Sequence, residues 1–150
     1  MADPIHEEVY MMMKVLTGLM TIFMFTSMPA WGQQGFKATP IFKGTATVAG
    51  QRIEYLKTDK PEITSLMIEL EPGGEVGRHK HFVSGYVYVI EGTITIEMED
   101  GGRHEFKAGQ SFTESVNLWH NAKNLGKTPV KLLAVIFGEE GKSNIIRPEK

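Results

Sequence analysis

The sequence predicts an antiparallel all-β sandwich or barrel, and three observations support that class. From residue 36 onward apolar residues recur with period two. Gly- and Pro-containing turn signals fall about every eight to twelve residues. No segment after residue 36 keeps helical periodicity long enough for a stable amphipathic helix.

The first 32 residues are a different kind of sequence. Seven of the nine methionines lie within residues 1–28, where Lys14 is the only basic residue. Lys14 is followed by the uncharged run Val15 to Met28, then Pro29, and then Ala30 and Gly32 around Trp31. A positive charge, an apolar run and small residues in that order describe a secretory leader, with cleavage after Gly32. The run is shorter than the roughly 20 apolar residues that cross a bilayer. The acidic stretch Met1 to Met12 departs from the basic start of a leader, so Met11, Met12 and Met13 are candidate starts, and an N-terminal packing helix is the alternative. The expectation is a leader over 1–32, one domain over 33–150, and a periplasmic or secreted protein free of the membrane once the leader is removed.

The strands follow in order. Ile63 to Leu70 sets Leu66, Ile68 and Leu70 on one face and Met67 and Glu69 on the other. Tyr86 to Ile90 is wholly β-branched or aromatic, as in a strand covered on both faces. Thr93 to Glu99 alternates Ile94, Ile96 and Met98 with Thr93, Thr95 and Glu97, and stops at Asp100-Gly101-Gly102, a strong hairpin signal. Val130 to Phe137 is a further strand, entered from Pro129. Turns are expected at Ala49–Gln51, Glu71–Gly74, Glu91-Gly92, Ala108-Gly109 and Leu125–Lys127.

Composition narrows the chemistry. A chain of 150 residues fits one domain. Sixteen Lys and Arg against eighteen Asp and Glu disfavour a nucleic-acid binder working through a broad basic surface. The absence of cysteine excludes disulfide scaffolds, thiolate metal sites, iron–sulfur clusters and a cysteine nucleophile. Histidines, carboxylates, hydroxyls or a bound cofactor must therefore carry any reaction.

Five histidines are present: His6, His79, His81, His104 and His120. His6 falls in the expected leader and His104 beside a turn. His79 and His81, one residue apart, project to the same face of a strand. His120 follows two hairpins later, enough chain for it to return beside the pair. The surroundings are equally patterned. Gly73 precedes His79-Lys80-His81 by five residues and Gly92 ends the following strand, while Gly109 leads to Trp119-His120, with Asn124 four residues beyond.

This order resembles the two-motif signature of the cupin superfamily over roughly residues 63–137. Two features depart from it. The first motif's carboxylate position falls on Gly85, beside Tyr86, and Ser115 and Asn117 stand where Pro and Gly are usual. The resemblance implies a double-stranded β-helix, or jelly-roll, barrel in which His79, His81 and His120 bind a divalent metal ion. Fe, Zn, Ni or Mn are the candidates; imidazole suits the first three, and a carboxylate would favour Mn. Three-histidine sites occur in cupin-like dioxygenases, so the resemblance allows a dioxygenase-type oxidoreductase as well as a zinc-like hydrolytic centre. It also implies a small-molecule ligand and a homodimer. A non-catalytic binding or sensing module is the alternative, and a metal-free structural barrel a third reading.

Glu114 is a candidate catalytic residue. Facing inward, it would be a fourth ligand, a partner fixing a histidine tautomer or a general base; facing outward, a rim carboxylate paired with lysine. Phe82, Gly85, Tyr86, Phe112 and Trp119 are candidate substrate-pocket residues, the aromatics as apolar lining and Gly85 as space beside the metal; core packing is the alternative for the aromatics. Lys80 should face away from the ligands, and Asn121 and Asn124 should fix the loop after His120 through backbone bonds.

Overall fold

The structure, a computed structural model, describes residues 35–149. The leader expected over 1–32 lies outside the described residues. From Thr39 onward the chain belongs to one unit, built of β1 (Pro61–Leu70), β2 (Gly85–Glu91), β3 (Thr93–Met98), β4 (Arg103–Lys107), β5 (Ser111–Thr113), β6 (His120–Lys123) and β7 (Val130–Glu139). All pairings between these strands are antiparallel, in a four-stranded sheet ordered β1-β7-β2-β5 and a three-stranded sheet ordered β4-β3-β6. Among the described residues no helix is long and apolar enough to cross a membrane.

The period-two pattern decides which side chains are inside. Along β2, Gly85, Val87 and Val89 are buried while Tyr86, Tyr88 and Ile90 turn to the outer face. In β7, Val130, Leu132, Ala134 and Ile136 are buried against them. From the facing sheet Ile94, Ile96, Met98 and Ala122 close the core, and Phe112 stacks on Phe106 with ring centroids 4.3 Å apart. Fully burying a Val or Ile side chain stabilises by roughly 1.5–3 kcal/mol, so these layers hold the two sheets together.

The turns follow the sequence closely. At Asp100-Gly101-Gly102 the Met98 amide donates to the Gly102 carbonyl at 2.8 Å, and Asp100 Oδ1 accepts the Gly102 amide at 2.9 Å. Gly92 joins β2 to β3 at φ 77°, and a Cβ there would meet the Pro129 carbonyl at 2.5 Å, so no larger residue fits. Three strands lack a strong sequence signal. β4, β5 and β6 are short or polar, and pairing to β3 and β2 makes them strands.

Asn124 ties the sheets together at one end. It is fully buried; its amide donates to the Leu70 carbonyl at 2.9 Å and the Thr128 carbonyl at 2.8 Å, while Oδ1 accepts the Gly126 amide at 3.0 Å. Asn124→Ala leaves these buried groups unpaired and should lower unfolding free energy by about 3 kcal/mol in urea titrations. A loss below about 1 kcal/mol would mean water replaces the amide without penalty.

Candidate metal centre

Backbone pairing brings the three histidines together. His79 and His120 exchange amide–carbonyl bonds in both directions at 2.9 Å, and His81 bridges in parallel to Val116. The turn that delivers His120 is fixed from outside: Gln51 donates its side-chain amide to the Val116 carbonyl and accepts the Val116 amide, both at 2.9 Å. Asn117 sits at φ 56°, the only described non-glycine residue with positive φ. Asn tolerates the left-handed region better than most side chains, which is how it stands where glycine is usual.

All three rings are buried, with relative exposures of 3%, 3% and 2% for His79, His81 and His120. Their centroids lie 4.4–5.3 Å apart. Each Nδ1 faces a backbone carbonyl: Gly77 at 2.7 Å for His79, Asn144 at 2.7 Å for His81 and Leu118 at 3.0 Å for His120. A carbonyl only accepts, so each Nδ1 carries the proton and donates it, leaving the lone pair on Nε2. The Nε2 atoms of His81 and His120 are buried without a hydrogen-bond partner. Among the described residues these three histidines form the one cluster able to hold a metal ion, their ligand atoms within 4.8 Å of one another.

Glu114 joins them. Its Oε2 lies 3.4 Å from His120 Nε2 and 4.0 Å from His81 Nε2, and it is likewise buried without a hydrogen-bond partner. Burial works against charge throughout the cluster. It lowers the His79 pKa to about 4, with the neighbouring imidazoles adding to it, so this ring is neutral at pH 7. For His120 burial is outweighed by the Glu114 carboxylate, which raises its pKa. Burial of Glu114 is outweighed in turn by the closeness of His120 and the charge of the surrounding imidazoles, which lower its pKa.

The interior beside the histidines is small and apolar. Its volume is about 40 Å³, enclosed by His79, His81, Glu114, Phe112, Ile136 and Ile145 among others. On this measure about 10–15 Å³ holds one water, so the space accommodates an ion with a few waters or a very small ligand as the chain stands. The segment Ser143–Arg147 lies over it. Ile146 exchanges backbone bonds with Lys80 at 2.8 and 3.0 Å, the Asn144 amide donates to Thr64 Oγ1 at 2.9 Å, and Arg147 donates to the Val76 carbonyl at 3.0 Å. Asn144 and Ile145 were not candidates from the sequence; 63 residues separate Asn144 from His81, and no local motif marks a carbonyl acceptor.

The candidate pocket residues divide. Phe112 and Gly85 face the interior: Phe112 lines it, and a Cβ on Gly85 would lie 3.6 Å from Glu114 Cγ. Strand alternation sends Tyr86 outward, where it packs on Phe42 and bonds Ser111 in a separate apolar pocket of about 190 Å³. Trp119 precedes His120 and points the opposite way, under Arg78 at 4.2 Å and Lys80 at 4.8 Å. Phe82 lines an open groove with Arg52 and Lys57. The structure therefore does not bring Phe82, Tyr86 or Trp119 to the histidines. Lys80 faces away from them, and Asn121 accepts the Gly77 amide at 2.9 Å, steadying the carbonyl that holds His79.

Residues 66–136 match the family model described as a cupin domain. Among solved structures, a sugar phosphate isomerase of the cupin superfamily from Silicibacter pomeroyi is 24% identical, with 51% of this chain and 50% of that one covered at a TM-score of 0.45. This chain thus spans about half the length of that protein. A Klebsiella pneumoniae protein with a double-stranded β-helix domain is 23% identical over 63% of this chain and 80% of that one, TM-score 0.49. A Thermotoga maritima protein described as a predicted oxalate decarboxylase is 30% identical over 49% and 64%, TM-score 0.43. No curated protein matches the sequence.

The raised His120 pKa sets the sign of a pH effect. The proton that Glu114 stabilises on His120 competes with a metal for Nε2, so affinity should weaken as pH falls and strengthen as it rises through the raised pKa. Zn(II) titrated into metal-stripped protein near pH 6.5 should release protons. Calorimetry in two buffers of different ionisation enthalpy reads this directly. Identical apparent enthalpies would show that His120 binds metal without giving up a proton.

Proposed function

With residues 66–136 a cupin domain, we propose that this protein is a metal-dependent cupin in which His79, His81 and His120 hold a divalent ion and the barrel admits a small organic ligand beside it. The observation that carries this reading is the set of three Nδ1–H groups committed to carbonyls, with the Nε2 lone pairs turned to one buried point. Two of those Nε2 atoms have no partner, and a buried polar atom left unpaired costs about 1–3 kcal/mol. A cation removes that penalty at both atoms. When bound, Fe, Zn, Ni or Mn would supply a Lewis acid, and iron would add redox chemistry of the dioxygenase type.

The protein's own part is to orient the rings, exclude water and limit what enters. Val87, Ile96, Phe112, Leu132 and Ile136 make the wall apolar, and the space of about 40 Å³ restricts the interior to very small groups while Ser143–Arg147 stays in place. A larger ligand requires that segment to move. Its closure favours a second reading, in which the centre captures a ligand without turning it over. Oxygen uptake on adding Fe(II) with catechols, thiols and keto acids separates the two: consumption tied to one substrate supports the oxidoreductase, and ligand-dependent spectral change without consumption supports capture.

His120→Ala should abolish most metal binding, measured by elemental mass spectrometry on untagged protein, while thermal unfolding remains cooperative because the apolar core is retained. Unchanged metal content would contradict the reading. We also propose a homodimer through the outer face of β1 and β7, where Ile63, Met67 and Phe137 are exposed and β1 is the edge of its sheet among the described residues. Light scattering should give twice the monomer mass, reduced to one by Met67→Glu; a monomeric wild type would refute it.

A further inference from the structure

Glu114 differs from every other carboxylate among the described residues in turning a buried oxygen toward imidazoles, with its side chain 14% exposed. It follows β5 directly; its amide donates to the Gly85 carbonyl at 2.8 Å, and Ser84 Oγ donates to its own carbonyl at 3.1 Å. These bonds fix the backbone so that the side chain runs inward across the start of β2. The space it uses is the space Gly85 leaves. A Cβ on Gly85 would stand 3.6 Å from Glu114 Cγ and 3.2 Å from Ile136 Cγ1, so a longer side chain at 85 would compete with Glu114 for the same volume.

The charge of Glu114 needs a counterpart. Among the described residues no Lys or Arg lines the interior, and a buried carboxylate oxygen without a partner is unfavourable. A ring that donates Nδ1–H to a carbonyl offers it positive charge only by taking a second proton on Nε2, the atom a metal ion would use. Oε2 has no hydrogen-bond donor of its own and lies 3.4 and 4.0 Å from two Nε2 atoms that also lack partners. One cation among these three atoms satisfies all of them. Four ligands around an ion at bonding distances of about 2.1 Å stand about 3.0–3.4 Å apart, close to the shorter of the two separations.

We propose that Glu114 is the fourth protein ligand of the ion, with Gly85 as the position that makes room for it. This rests on the reading that His79, His81 and His120 bind an ion, and extends it to the ion's character. The carboxylate reaches the centre from the strand next to the one carrying residue 85. One negative charge added to three neutral nitrogens shifts preference toward harder ions, so Mn(II) and Fe(II) gain relative to a site of imidazoles alone. It also leaves fewer open positions for water or substrate.

The test uses full-length, untagged, metal-stripped protein titrated with Mn(II) and Zn(II), with Co(II) as a spectroscopic probe. Glu114→Gln keeps the shape and removes the charge. It should weaken Mn(II) binding by about 10- to 100-fold or more, weaken Zn(II) binding less, and shift the visible absorption of the Co(II) form. Glu114→Ala should do the same, and circular dichroism melts establish that both variants fold. If Glu114 serves only as the ion-pair partner of His120, Glu114→Gln binds both metals at least as tightly as wild type with an unchanged Co(II) spectrum, and the proposal is overturned. A wild type that binds no divalent ion, with His120→Ala indistinguishable from it, overturns the three-histidine reading itself and the proposal with it.

Discussion

Three imidazole-to-carbonyl hydrogen bonds set the character of this molecule. A buried histidine can present either ring nitrogen, and the partner of one nitrogen decides what the other does. Here each Nδ1 is bonded to a peptide oxygen, so each Nε2 is left as a lone pair directed inward. Two of the oxygens are local, from Gly77 and Leu118, each two residues before its histidine. The third comes from Asn144, in the segment lying over the barrel. Ring orientation therefore depends on tertiary structure as well as on the strands that carry the rings.

The fold supplies this arrangement by ordinary means. Antiparallel pairing sets His79 opposite His120, alternation sends His79 and His81 to one side and Lys80 to the other, and a left-handed turn at Asn117 swings the chain back into β6. Around the rings the wall is Val, Ile, Leu, Ala and Phe, which lowers the local dielectric and strengthens each charge placed there. That is why His79 is held neutral and why His120 and Glu114 move in opposite directions. Because Asn144 bonds His81 while Ile146 pairs with Lys80, displacement of the Ser143–Arg147 segment would disturb a histidine together with access to it.

Much of this was legible in the sequence, for physical reasons that differ by element. Strands with strong alternation, such as Thr93–Met98 and Val130–Glu139, announce themselves because their pattern matches the pleat, and the Asp100-Gly101 turn because few other residues accept its backbone. β5 and β6 do not, since Ser-Phe-Thr and His-Asn-Ala-Lys become strands through their partners. The pairing of His79 with His81 followed from strand spacing, and the addition of His120 from the resemblance to the cupin signature. The direction of Glu114 did not: an isolated glutamate reads as surface, and the neighbouring Gly85 that flanks its inward path lies on a different strand. Trp119 and Tyr86 lie next to interior residues in the chain and point away from them, as strand alternation requires, so closeness in sequence was a poor guide to the pocket.

A crystal structure of natively purified protein, with anomalous data on both sides of candidate metal edges, tests the central claim most directly. The account predicts one anomalous peak at bonding distance, about 2.0–2.3 Å, from Nε2 of His79, His81 and His120, with each Nδ1 still on its carbonyl. Imidazoles turned so that Nδ1 faces the interior, or hydrated rings with no anomalous scatterer between them, would contradict it.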